Sequence, residues 1–160
     1  RAACAEDGNT IVFPRRGGTR GASSSEDNEQ MSADAFQQAL AQGKFAMNWE
    51  AHGHSYGLPR SIEDDIRAGR TVVANVSRTV IDQARRTYAD VVVVSITAPA
   101  DVLAARIAMR SRSSDGSIDQ RLARKVEDAA APDVTIVNVS SAEFHARQLV
   151  RAIKGGRWDE

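Results

Sequence analysis

Two kinds of residue in this 160-residue chain have the types and spacing for chemistry: arginines gathered in clusters, and one stretch crowded with special side chains. The first cluster is "RRGGTR", which places Arg15, Arg16 and Arg20 directly after the apolar run "TIVF" (Thr10 to Phe13). The second is "ANVSR", with Asn75, Ser77 and Arg78 closing the run "TVVANVS" (Thr71 to Ser77). The third has helical spacing: Arg106 and Arg110 stand four apart and share a face, and Arg121 follows the small polar break "SRSSDGS". Arginine presents a planar fork of donors suited to phosphate oxygens. Each charge-assisted bond of that kind is worth about 1.5–3 kcal/mol. Guanidinium groups that converge without matching acids repel one another unless an anion joins them, and only Asp101, Asp115 and Asp119 lie near the third cluster. The chemistry is therefore capture of phosphorylated ligands. A solvated basic turn at "RRGGTR", a hydrogen-bonded Asn75 inside a strand, and a salt-bridged exposed helix are the structural readings beside it.

The crowded stretch is "NWEAHGHSYGLP", residues 48 to 59, in a chain with only 5% aromatic residues. His52 and His54 suggest a metal, but two ligands do not make a site and no CxxC or HExxH accompanies them. No metal-binding residue is predicted. His145, near the start of the last helix, is expected to be exposed.

Formal charge is balanced at 21 basic and 21 acidic residues, so no global field favours nucleic acid or a membrane surface as partner. The single cysteine, Cys4, excludes an internal disulfide and fits a reducing, cytoplasmic setting. No apolar run reaches membrane-spanning length, and no secretory apolar region opens the chain.

The elements that must position these residues alternate in type. "TIVF" reads as a buried strand. "SADAFQQALAQG" reads as a helix capped by Ser32 and stopped at Gly43. "SIEDDIRAG" repeats that grammar from Ser61 to Gly69, and "TVVANVS" is the next strand, followed by a helix around Val80 to Tyr88. "VVVVSIT" (Val91 to Thr97) is β-branched almost throughout, which suits a strand covered on both faces. Pro99 starts a helix striped by Leu103 and Ile107; Ile118, Leu122 and Val126 give another four-residue rhythm; "VTIVNV" is the last strand. The final helix opens on a predicted capping box, Ser140 with Glu143, and runs to Gly155. "GASSSEDNEQ" reads as an exposed loop and "RWDE" as a frayed tail. Strands alternating with helices predict an α/β domain with a parallel sheet and right-handed crossovers.

Taken in order, "TR" at Thr19 and Arg20, "FAMNWEAHGHSYGLP" from Phe45, "GRTVVANVSR" from Gly69, "TAPADVLAARIAMR" from Thr97, "IDQRLAR" from Ile118 and "TIVNV" from Thr135 resemble the guanylate kinase group of P-loop kinases. Within it, W-x-AHG-x-x-YG-x-P and N-x-SR are most similar to the ribose 1,5-bisphosphate phosphokinases. The resemblance runs from about Val12 to about Ile153 and implies one three-layer domain, a parallel sheet ordered 2-3-1-4-5 with helices on both faces. Residues 20–70 would hold an acceptor-binding insertion and 106–124 a lid.

The resemblance also implies roles. Arg20 and Tyr56 would fix the acceptor phosphate, with Arg16, His52, Asn75, Ser77 and Arg78 around the acceptor. Gly53 and Gly57 would let the backbone turn tightly. Arg106, Arg110 and Arg121 would close over the ATP phosphates, and Asn138 would lie near the adenine. Arg110, Arg121 and Arg20 would thus act in the transfer, with ATP and Mg²⁺ as cosubstrate and cofactor. Guanylate kinases read the guanine edge with a glutamate where this chain has Met47, and acidic strand positions of theirs are Asn75 and Ser77 here. Both changes suit a base-free sugar bisphosphate, leaving GMP as the alternative acceptor.

Two departures accompany the resemblance. Gly17, Gly18 and Gly21 stand where bulkier residues or a proline are expected, which predicts a mobile loop. No G-x-x-x-x-G-K-[ST] occurs, and the first residue is Arg. The expectation is an N-terminally truncated enzyme lacking roughly twenty residues that hold the first strand and P-loop. The rival is a non-catalytic binding module without a P-loop. The coding DNA upstream of Arg1 separates the two.

Overall fold

The computed structural model describes residues 10–21, 28–110 and 131–155. The chain divides into two compact units, Arg1–Val91 and Val92–Glu160.

In the first unit the apolar run after Thr10 forms β1 (Ile11–Val12), which pairs in parallel with β6 (Thr71–Val72). This pair has the sense expected for a parallel α/β sheet. β6 is shorter than "TVVANVS" predicts, so Asn75 lies beyond the strand and is exposed, and no ladder bond has to satisfy it.

The same unit carries a mixed four-stranded sheet ordered β3-β2-β5-β4. It is built from β2 (Arg16–Gly18), β3 (Asn28–Gln30), β4 (Phe45–Ala51) and β5 (His54–Pro59). β4 and β5 form a hairpin whose two turn residues, His52 and Gly53, have φ of 53° and 76°. A two-residue connection with both centres at positive φ matches the twist of its strands. Gly53 thus makes the expected tight turn.

Gly57 does something else. It pairs with Gly17 within the sheet, and a Cβ placed on it would stand 2.5 Å from Cδ1 of Phe45. An irregularity between Phe45 and Met47 turns the phenyl ring onto this face, opposite Met47, and the ring stacks on Phe36 with centroids 4.8 Å apart. The glycines are the floor on which an aromatic pair lies. Gly17 and Gly18 are buried strand residues held between β3 and β5, which corrects the expectation of a mobile loop.

Alternation along the hairpin sends Met47, Trp49, Tyr56 and Leu58 to the other face, where they form the core with Ile62 and Val80. Trp49 and Tyr56 are cross-strand partners with rings 5.9 Å apart. Around this core lie α2 (Ile62–Arg67), a 3₁₀ turn over Arg78–Val80 and α3 (Ile81–Thr87), whereas α1 (Ala33–Ala41) sets Phe36 against Phe45 on the opposite face. Ser32 caps α1 by accepting from the Ala35 amide at 3.1 Å, and Gly43 leaves it at φ 68°. The Tyr88 hydroxyl ends in this core with no hydrogen-bond partner among the described residues. Burial pushes its pKa up, the nearby Glu63 carboxylate adds to that, and Arg60 opposes it.

In the second unit β7 (Val94–Thr97) and β8 (Val134–Val137) pair in parallel, residue for residue. α4 (Ala100–Arg110) follows Pro99, whose carbonyl accepts from the Leu103 amide at 2.9 Å. α5 (Ala142–Ile153) packs against β8. "VVVVSIT" is not covered on both faces: Ile96 is 60% exposed while its partner Ile136 is 2% exposed, because the covering helix sits on β8.

The cap of α5 is Ser141, not Ser140, with its hydroxyl accepting from the Phe144 amide at 3.2 Å. The Ser140 amide instead donates to Nε2 of His145 at 2.9 Å. Nδ1 therefore carries the ring proton and donates to Gln148 at 2.6 Å. His145 is buried rather than exposed because it completes this helix start. Among the described residues no helix is long and apolar enough to cross a membrane.

Candidate functional site

Arg16 is the hub of the polar residues in the first unit. It opens β2 beside Asn28, the first residue of β3, and its Nε donates to Asn28 Oδ1 at 3.1 Å. Its Nη1 reaches 59 positions along the chain to donate to the Asn75 carbonyl at 3.0 Å. The guanidinium carbon stands 5.4 Å from the centroid of the Tyr56 ring, close enough for a cation–π contact. Three segments distant in sequence are thus held together by one side chain.

The same strand end is clamped a second time. The Thr19 amide donates to the Ser55 carbonyl at 3.0 Å, and the Ser55 amide donates to Thr19 Oγ1 at 2.9 Å. Arg20 follows directly and is half-buried, so the residue expected to hold an acceptor phosphate leaves a fixed point of the sheet.

The other expected acceptor residues fall around this centre in different ways. Tyr56 is 7% exposed and contributes its ring to the core. His52 is exposed at the hairpin tip. Asn75 meets Arg16 through its backbone carbonyl. Ser77 starts the 3₁₀ turn, accepting from the Thr79 hydroxyl at 3.0 Å and from the Thr79 amide at 3.4 Å. Arg78 is the exposed first residue of that turn.

In the second unit Arg106 is half-buried on α4 next to the buried Ile107. Arg110 is the last residue of that helix, one turn on, as its spacing predicts. Asn138 follows β8 and extends the parallel ladder, its amide donating to the Thr97 carbonyl at 2.6 Å. Arg121, the "SRSSDGS" break and the rhythm of Ile118, Leu122 and Val126 lie outside the described residues, as does Cys4. Among the described residues no group of three or more His, Cys, Asp or Glu is placed to hold a metal ion.

Sequence reasoning passes over two residues of this centre. Asn28 sits in "GASSSEDNEQ", whose composition signals a loop, yet residues 28–30 form β3 and its side chain holds Arg16. Thr19 serves there only as part of a motif, and its clamp on Ser55 depends on antiparallel pairing that no local pattern reveals.

Comparison with known proteins places this arrangement. No family model matches the chain. It is 59% identical over 161 aligned residues to ribose 1,5-bisphosphate phosphokinase PhnN of Bradyrhizobium diazoefficiens, covering 100% of this chain and 81% of that one. It is 62% identical over 157 residues to the protein of the same name from Rhodopseudomonas palustris, covering 98% of this chain and 79% of the relative. Among solved structures, guanylate kinase from Anaplasma phagocytophilum superposes with a TM-score of 0.70 at 20% identity, over 96% of this chain and 80% of that one. That likeness shows a guanylate kinase-like α/β fold, as the motifs imply. With essentially all of this chain matched at this identity, over about four-fifths of each relative, the chain belongs to the ribose 1,5-bisphosphate phosphokinase family of phosphotransferases.

Proposed function

We propose that this protein transfers the γ-phosphoryl group of ATP to the 1-phosphate of ribose 1,5-bisphosphate, giving 5-phosphoribosyl 1-diphosphate and ADP. The observation that carries the reading is the identity to relatives of that name, 59% and 62%, along essentially the whole chain. In the transfer, an oxygen of the 1-phosphate forms a new bond to the γ-phosphorus. The bond from that phosphorus to its bridging oxygen breaks, and ADP leaves with the electron pair. Such a step needs positioning and charge neutralisation more than covalent participation by the protein.

On this reading the acceptor side lies within an insertion spanning 20–70 of a single guanylate kinase-like domain. Arg20 and Tyr56 hold an acceptor phosphate. Arg16 and Arg78 add positive charge, Asn75 and Ser77 line the edge without adding negative charge, and His52 approaches the sugar from the hairpin tip. Met47 supports a base-free acceptor: it is 5% exposed within the apolar cluster and offers nothing to pair with a guanine edge. A site that leaves a ligand's donors unpaired loses about 1–3 kcal/mol for each.

On the donor side, Arg106 faces the ATP phosphates and Asn138 the adenine. Mg²⁺ would accompany ATP and would supply neutralisation of phosphate charge.

Phosphorus NMR of the complete gene product with ATP, Mg²⁺ and ribose 1,5-bisphosphate tests the reading. A new diphosphate pair attached to the ribose, appearing together with ADP, is expected. ADP formation without that pair, or no turnover, refutes it.

A further inference from the structure

We propose that Asn28 is a positioning residue of the acceptor site, setting the plane of the Arg16 guanidinium so that its fork meets a phosphate of the acceptor. The proposal rests on the phosphorylation of ribose 1,5-bisphosphate argued above. An arginine side chain has many rotamers, and ordering it on ligand binding weakens affinity. Arg16 is ordered before any ligand arrives. Its Nε is fixed by Asn28 at 3.1 Å, its Nη1 by the Asn75 carbonyl at 3.0 Å, and its face by the Tyr56 ring at 5.4 Å. Among the described residues, two bonds from one planar group set its direction, and the ring beneath limits its tilt.

The identity of the partner matters as much as its place. A guanidinium only donates, so the Asn28 amide must face it with oxygen, which turns the Nδ2 hydrogens the other way. Asn28, as a neutral amide, orients the fork while adding no negative charge of its own, whereas a carboxylate at the same place would form an ion pair and compete with phosphate. Strand pairing makes the placement reliable: Arg16 and Asn28 are direct partners in the parallel register of β2 and β3. Their juxtaposition is thus set by backbone bonds that a side-chain substitution leaves in place.

Steady-state kinetics on the complete gene product, comparing wild type, Asn28→Ala, Arg16→Ala, the double variant and Asn28→Asp, tests this. Asn28→Ala should raise KM for ribose 1,5-bisphosphate about 3- to 10-fold, the range set by ordering one long side chain. Its kcat and its KM for ATP should change less than about twofold. In the Arg16→Ala background the same change should have no further effect, because the group it orients is gone. Asn28→Asp should raise the acceptor KM at least as much as Asn28→Ala.

An unchanged acceptor KM in Asn28→Ala, or an equal effect with and without Arg16, overturns the positioning role while leaving the activity in place. Wild type that fails to use ribose 1,5-bisphosphate at all overturns the functional reading itself, and the positioning role with it.

Discussion

Gly57→Ala is the substitution whose effect the geometry determines most closely. The added methyl would stand 2.5, 2.7 and 2.8 Å from Cδ1, Cγ and Cε1 of Phe45. Ordinary carbon contacts begin near 3.5 Å, so the ring must retreat by about 1 Å. Its retreat disturbs the stack on Phe36, whose centroid is 4.8 Å away, and lifts it from Gly17, where an added Cβ would also lie 3.2 Å from the ring. Forcing a methyl into such packing costs about 1–3 kcal/mol. At ~2 kcal/mol the melting temperature should fall by about 4–8 °C for a chain of this size. Gly57 has no positive φ, so alanine meets no backbone penalty. In a Phe45→Ala background the clash is removed, and Gly57→Ala should be neutral or stabilising by about 0.4–1 kcal/mol through the unfolded chain. Urea denaturation of the four proteins of this double-mutant cycle gives the coupling directly. A neutral Gly57→Ala in wild type, or the same destabilisation with Phe45 already removed, would refute the reasoning.

Two other substitutions test single polar groups. Tyr88→Phe removes a buried hydroxyl with no partner among the described residues, and at neutral pH it should leave stability unchanged or raise it, since an unpaired buried hydroxyl costs about 1–3 kcal/mol. Burial and Glu63 hold the folded pKa of Tyr88 above its usual value, so its contribution persists below about pH 10 and is lost as pH rises through the folded pKa. Alkaline denaturation above about pH 10 should therefore be shallower in Tyr88→Phe, and identical profiles would contradict this. His145→Ala deprives the Ser140 amide and Gln148 of their partner and should cost about 1–3 kcal/mol by denaturation, with faster amide exchange at Ser140.

Where structure is set by neighbours in sequence, it was legible. Ser32 and Gly43 bound α1 as read, Pro99 starts α4, and Gly155 follows α5 at φ 73°. The parallel pairs β1–β6 and β7–β8 have the sense that alternating strands and helices require. Structure set by distant partners was hidden. "RGG" is a poor strand former, and "NEQ" lies in a polar patch, yet both become strands because β5 and each other complete their bonding. The capping signal at Ser140 was off by one residue because a buried histidine, not the Glu143 carboxylate, takes the Ser140 amide, and the Ser141 hydroxyl caps the helix. The residues proposed for the site stand out in the sequence only as types, and the structure brings Arg16, Tyr56 and Asn75 together. Their wiring was not legible, since Arg16 meets Asn75 through a carbonyl that every residue carries, and Asn28 had no chemical signature of its own.

The central claim is that this acceptor site is built for a sugar bisphosphate and not for a nucleotide base. Competition measures it most directly: ribose 1,5-bisphosphate and GMP at equal concentration, limiting ATP, and the ratio of 5-phosphoribosyl 1-diphosphate to GDP at early times. On the proposed reading, in which the buried Met47 stands where a guanine reader would, the sugar product should dominate by about tenfold or more, the consequence of one or two unpaired polar groups. GDP in equal or greater amount would contradict the account.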